Sequence, residues 1–271
     1  MNTKPMRPWS PLGISVILVS ALLLLPAVLI VPMSLSSGTT FQFPPPGFSL
    51  RWYENLIVDA GWQRAVVTSF QVSGLVTPLA LIIGTLASFA LHRMTRRARI
   101  VGLGILVSPL AIPNILIALA AYAFFLQLGL SGTIHGLVFA QTCLAIPFVV
   151  IAVWARLQGY DRSLTSAALS LGASPFTTFR LVTLPLILPG IIAGAVFAFV
   201  SSFDELVIAL LLQGPGVVTL PVKMFDSVVE EADPTITAAS TILVVAVSTA
   251  VLLVQLVWLR RGQHATKGAN R

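Results

Sequence analysis

Asp204 and Glu205 stand side by side in a stretch, 185–212, that carries no other charge. Ionisable groups inside an apolar span are costly to hold there, so each is a functional candidate by default. Two carboxylates facing a pathway would attract a di- or polycation. A structural reading competes. Ser202-Phe-Asp-Glu205 has the spacing of a capping box, in which Ser202 and Glu205 satisfy open backbone N–H groups at a helix start. The acids would then neutralise the positive end of a restarted half-helix. The two uses are compatible, because broken helices often sit at a translocation path. In another apolar stretch Pro109 and Pro113 are followed by Asn114. Each proline removes a backbone donor and kinks its helix, leaving carbonyls without partners. Asn114 would supply one such partner, or would touch a polar solute in a cavity.

Little else in the chain could do chemistry. Its one cysteine, Cys143, lies inside an apolar stretch, so no disulfide framework or metal cluster is expected. His92, His135 and His264 are scattered without ligand-spaced partners, which argues against a metal site. No Gly-x4-Gly-Lys-Ser/Thr phosphate loop occurs, so the chain does not hydrolyse ATP by that route. An intramembrane enzyme would need a clustered nucleophile, base or metal, and no His or Cys lies near the acids in sequence. An ion-driven secondary transporter would explain buried acids but not the cytoplasmic segment at 156–184.

Six long apolar stretches must position these groups: 12–33, 65–91, 100–128, 136–155, 185–212 and 236–259. Each reaches the roughly 20 helical residues needed to cross about 30 Å of hydrocarbon. With 56% hydrophobic and 9% charged residues, a soluble globule of this size is excluded. The expected fold is an all-α membrane protein with six transmembrane helices, read as one domain over 1–271. Thirteen of the sixteen Lys/Arg fall in alternate gaps. Lys4 and Arg7 precede the first span; Arg93, Arg96, Arg97 and Arg99 follow the second; Arg156, Arg162 and Arg180 follow the fourth; Arg260, Arg261, Lys267 and Arg271 follow the last. Basic residues collect on the cytoplasmic side, so both termini are expected there. The net charge of +7 is explained by topology and anionic lipid headgroups rather than by nucleic acid. The first apolar run is too long for a cleaved leader and reads as an uncleaved span.

The first outer gap holds a stiff extended run, Phe43-Pro44-Pro45-Pro46-Gly47-Phe48, after which Ser49 can cap a short helix through Ile57. Its Leu50, Trp52, Tyr53 and Leu56 suit an interfacial helix, with a partner-contact surface as the alternative. The last outer gap, Gln213-Gly-Pro-Gly216 to Val222, is an ordinary loop or a segment dipping back toward the membrane.

The inner gap 156–184 is the most patterned. Asp161 or Ser163 caps a short helix, and Gly172 ends it in a left-handed turn. Ser174-Pro175 starts a second helix, which Pro185 stops as it opens the fifth span. Leu164, Ala167, Ala168, Leu171, Phe176 and Phe179 give this pair a surface of apolar and small residues. It fits a plug for a groove on another protein, or a face packed under the bundle.

At these residues the chain resembles a family. Ser166-Ala167-Ala168, three residues, Gly172, nine residues, then Val182-Thr183-Leu184-Pro185 is similar to the signature loop of permease subunits of binding-protein-dependent (type I) ABC importers. That signature has Glu where Ser166 stands. Phe48-Ser-Leu-Arg51-Trp-Tyr, Pro109-Leu-Ala-Ile-Pro113, Leu144-Ala-Ile-Pro147-Phe-Val, Ser202-Phe-Asp204-Glu205 and Pro234-Thr-Ile-Thr-Ala-Ala-Ser-Thr241 extend the resemblance along the chain. They match the branch holding the C-type permease of spermidine/putrescine importers, whose members also serve opines and aminoethylphosphonate. The resemblance implies a bacterial inner-membrane permease subunit of an ATP-driven importer, half of a pathway for a small solute. A polyamine is the expected cargo. It implies that Ser166, Ala167, Ala168, Gly172, Val182, Leu184 and Pro185 couple the chain to an ATP-binding cassette ATPase dimer. The partner would use ATP and Mg, and this chain would bind no cofactor. A second homologous permease and an external solute-binding protein complete the implied assembly. Asp204, Glu205, Asn114 and Ser202 are the candidate pathway residues.

Overall fold

Long runs of Leu, Ile, Val and Ala form the helices of this chain, and Pro26, Pro32, Pro78, Pro147 and Pro189 lie inside helices without ending them. The computed structural model describes residues 11–229, 232–249 and 252. Among them there is no strand beyond two isolated bridges, Ser36 with Phe48 and Gly214 with Val217. The helices are α1 Pro11–Ser34, α2 Arg51–Val58, α3 Ala60–Arg93, α4 Arg96–Val107, α5 Asn114–Gln127, α6 Ile134–Gln158, α7 Arg162–Ser170, α8 Pro175–Thr178, α9 Leu184–Phe203, α10 Val207–Leu212, α11 Leu220–Val229 and α12 Thr235–Thr249. The chain divides into two compact units: residues to Ala60 with those from Met224 on, and Gly61–Lys223.

In the first unit, α1 is apolar on every face and exposed over most of residues 13–31, closing on a buried Ser34. A helix of that kind is covered only by lipid or by other spans. Its C-terminal Ser34 hydroxyl meets the Tyr53 hydroxyl of α2 at 2.7 Å. The expected cap at Ser49 is displaced by one residue: Leu50 holds the cap position of α2 without a side-chain bond, and the Ser49 hydroxyl accepts from the Arg51 N–H at 3.2 Å just outside it. Asn55 Nδ2 donates to Thr235 Oγ1 at the start of α12 (2.8 Å).

In the second unit, α6 is the central element. Val149, Val150, Val153 and Leu157 are fully buried. Glycines let the neighbouring helices come close. A Cβ on Gly84 of α3 would lie 2.8 Å from the Val149 side chain, and one on Gly190 of α9 would lie 2.9 Å from the Ala152 carbonyl oxygen. Gly194 and Ala198 continue that buried stripe, so the small-residue face of the fifth span packs within the chain, against α6.

Four described helical runs are long and apolar enough to span: α1, α3, α6 and Pro175–Phe203. The expected proline-kinked helix over 100–128 is instead broken into Arg96–Ala111 and Asn114–Gln127, bent by 96°. The cause is local. Ile112 precedes a proline and takes extended backbone (φ −89°, ψ 132°), because the Pro113 ring disfavours helical geometry before it. Pro113 itself is extended at ψ 129°. Counted as one broken span, the pair brings the described candidates to five.

The expected fifth span, 185–212, is corrected at both ends. Its helix begins at Pro175 and runs through a π turn, Phe179–Thr183, into α9. Pro185 therefore does not stop a helix. It has no N–H to donate one turn back, and the wider π turn sits where that bond is missing. At the other end the helix stops at Phe203 and restarts at Val207. The segment between these helices accordingly shrinks from 156–184 to 159–174. Of the sixth span, α12 covers the first part; 250, 251 and 253–259 lie outside the described residues, as do Lys4, Arg7, Glu230, Glu231, Arg260, Arg261, His264, Lys267 and Arg271.

Candidate functional site

The break after Phe203 builds the first site. Asp204 caps the end of α9, its N–H still bonded to the Val200 carbonyl at 3.0 Å. Glu205 turns back on the restarted helix: its Oε2 accepts from the Ile208 N–H at 2.8 Å and the Ala209 N–H at 3.3 Å. Glu205 alone thus caps α10, at only 7% exposure. Ser202 is not its capping partner. It remains inside α9, buried, and its hydroxyl donates to Gln141 Oε1 of α6 at 2.6 Å. A box needs both residues at the same helix start, and here Ser202 ends one helix while Glu205 begins the next.

Around this break lies a cavity of about 420 Å³. Asn114, Asp204 and Glu205 line it together with Phe148 and Phe197. The two phenylalanines stack at 6.5 Å with 21° between their planes. Three of the four residues singled out in sequence thus meet at one place, although Asn114 is ninety positions from Asp204. Among the described residues the Asp204 carboxylate makes no hydrogen bond or ion pair, and it is exposed to the cavity. The Asn114 side chain is likewise exposed, and among the described residues it bonds to no proline-freed carbonyl. Phe148 and Phe197 carried no polar signal; only the i, i+4 spacing of Leu144 and Phe148 could have marked a shared face.

The second site is the two-helix bend between α6 and α9. Asp161 caps α7, accepting from the Ser163 N–H at 2.9 Å. That N–H, with the Ser163 hydroxyl, holds the fully exposed Asp161 carboxyl below its usual range. A lowered folded pKa gives stability that is present above the ordinary aspartate value and fades as pH falls through the lowered one. Gly172 adopts φ +85° and ends α7. The Ser174 hydroxyl accepts from the Thr177 N–H at 3.2 Å, with Pro175 opening the next helix.

Leu171 is 89% exposed and Phe176 72%, with Leu164, Ala167 and Ser166 also exposed. Phe179 is less open, at 38% exposure, and its ring lies 5.9 Å from that of Phe89 of α3. Val182 and Leu184 are half-buried at the root of α9, and Pro185 is exposed there. The seven signature residues therefore divide between a protruding bend and the base of a span. Between the bend and the end of α3 is a cleft of about 730 Å³, lined by His92 and Arg93 on one side and Tyr160, Thr165 and Ser166 on the other. The Tyr160 hydroxyl bonds to the Thr165 hydroxyl and, at 3.1 Å, to the Thr183 hydroxyl. Nothing in the sequence pattern marked Tyr160.

Long apolar helices, one pair of them bent by 96°, with two short exposed helices between α6 and α9, make this a membrane-protein architecture. The model for binding-protein-dependent transport system inner membrane components matches residues 77–262. The spermidine/putrescine transport system permease protein PotC of Escherichia coli (strain K12) is 32% identical over 248 residues, covering 92% of each chain. The putrescine transport system permease protein PotI of the same organism is 34% identical over 208 residues, covering 74% of each chain. A putative 2-aminoethylphosphonate transport system permease protein, PhnV of Salmonella paratyphi A, is 29% identical over 248 residues, 89% of this chain and 92% of the relative. In structure, a chain of a bacterial ABC transporter importing alginate matches at a TM-score of 0.72 and 19% identity, over 93% of this chain and 99% of that one. The chain belongs to the binding-protein-dependent transport system inner membrane component family. It is an inner-membrane permease subunit of an ABC importer and not itself an enzyme.

Proposed function

We propose that this permease carries a polyamine, putrescine or spermidine, and that Asp204 is the group that meets it. The observation supporting this is the cavity at the helix break. It joins a carboxylate without a protein partner, an amide and two aromatic faces. A carboxylate pairs with an ammonium group, and aromatic faces attract ammonium and cover methylenes. The spermidine/putrescine and putrescine permeases among its relatives support the same cargo. Two ATPase subunits using ATP and Mg, a second homologous permease and an external solute-binding protein complete the assembly, around six spans with both termini cytoplasmic.

The test is uptake by the complete importer reconstituted in vesicles, with labelled putrescine as the solute. Spermidine is expected to compete, and 2-aminoethylphosphonate and neutral solutes are not. Uptake of labelled 2-aminoethylphosphonate with no uptake of putrescine sinks the cargo and leaves the permease assignment standing.

The bend is proposed to couple transport to ATP hydrolysis through Ser166, Ala167, Ala168 and Gly172, with Val182, Leu184 and Pro185 carrying the push into the span. Its exposed Leu171 and Phe176 are the kind of apolar knobs that seat in a groove. Ser166 shares its cleft with Arg93, so Ser166→Glu places a carboxylate opposite a cation of the same chain. The expected result is a complex with ATPase affinity equal to or modestly above that of the unaltered protein. An unpaired anion buried against the ATPase would instead cost several kcal/mol, roughly the range for a broken buried pair, and a measured loss of subunit affinity of that size would show that Arg93 does not compensate it.

A further inference from the structure

We infer that Tyr160 is a positioning residue that transmits movement of α7 to the span ending at the Asp204 cavity. The inference rests on the coupling reading of the bend and adds the route by which a push leaves it.

Tyr160 lies in the short link between α6 and α7. Its phenol touches two other elements at once. One bond goes to the Thr165 hydroxyl on the first turn of α7, the other to the Thr183 hydroxyl at 3.1 Å. Thr183 is buried and is the last residue of the π turn. Leu184, the next residue, starts α9, and α9 runs to Phe203 beside Asp204. One hydroxyl therefore bridges the protruding helix and the root of the span.

The element at that root has a second available form. A π turn carries one more residue per hydrogen-bonded ring than an α turn, and such turns occur chiefly as single interruptions of α-helices, often at functional sites. Converting it to α geometry would shift the register of everything above it. Bistable elements of this kind are what physical coupling between distant sites requires. Thr178, one turn earlier, has a buried hydroxyl with no hydrogen-bond partner. A buried polar atom left unbonded in one arrangement is a reason for a second arrangement to be accessible. The phenol fixes which of the two the α7 position selects.

Tyr160→Phe removes only the hydroxyl and keeps the ring. Thr183→Val removes the same bond from its other end. In the complete importer in vesicles, the quantity to read is solute moved per ATP hydrolysed, together with ATPase affinity. Each variant is expected to assemble with unchanged affinity and to lose about fivefold in solute moved per ATP, the scale of one net hydrogen bond. The double variant should fall no further than either alone, because both delete one connection. Unchanged stoichiometry in both variants overturns the inference, as does loss of assembly in both, which would make the bond merely structural. Gly172→Val in the same assay separates the two levels. If that variant uncouples while Tyr160→Phe does not, only the phenol route fails; if Gly172→Val transports normally, the coupling reading fails and this inference with it.

Discussion

Replacing Gly172 by valine is expected to abolish solute-stimulated ATP hydrolysis while leaving membrane insertion intact. Gly172 has φ +85°, and a Cβ there would meet nothing within 4 Å. The cost of a side chain is therefore conformational within this chain. A residue with a Cβ gives up about 1–2 kcal/mol in the left-handed region, and a β-branched one more. The turn after α7 would open, moving the exposed Leu171 off its position. Asparagine tolerates that backbone region far better. Gly172→Asn should thus retain most of the stimulated activity. If both variants lose it, close approach of the ATPase rather than backbone geometry governs the position. Normal stimulation in Gly172→Val would count decisively against the coupling assignment.

The bend between α6 and α9 was legible in sequence because it is built from local rules. Asp161, Gly172, Ser174 and Pro175 each act within a few residues, through caps and a left-handed turn, and each does in the structure what its type prescribes. The helical character of the chain was legible for a similar reason, since apolar length alone dictates it. What sequence missed depends on competition between local rules. Pro185 signals a stop, yet a π turn absorbs the missing bond and the helix continues. Pro113 signals a kink, but with Ile112 driven to extended backbone the result is a 96° break. Ser202 and Glu205 fit a capping box by spacing, and the decisive fact is tertiary: Gln141 of α6 takes the Ser202 hydroxyl. The cavity itself, joining Asn114 of α5, Phe148 of α6 and Phe197 of α9, is a product of packing that no single segment encodes.

Asp204→Asn and Glu205→Gln are expected to part company, because the break gives the two neighbouring acids different work. Glu205 is buried with one oxygen held by two backbone N–H groups. A glutamine can still accept those bonds, so Glu205→Gln should keep α10 in place and transport putrescine within a few-fold of the unaltered rate. Glu205→Ala leaves the helix start open and should destabilise the protein by about 1–2 kcal/mol, the usual range for a lost cap, read as a lower thermal midpoint of the purified complex. Asp204 has no such duty. Its carboxylate faces the cavity unpaired, and a charge pair at 4 Å is worth about 4 kcal/mol at an effective dielectric near 20, less whatever water and salt screen. Asp204→Asn should therefore leave stability unchanged and raise the putrescine concentration for half-maximal uptake by at least about tenfold, a conservative part of that energy. The loss should shrink as ionic strength rises, because screening already weakens the unaltered pair. Equal uptake by Asp204→Asn and the unaltered importer at every putrescine concentration would remove Asp204 from the pathway, and a loss confined to Glu205→Gln would move the cation contact to its neighbour.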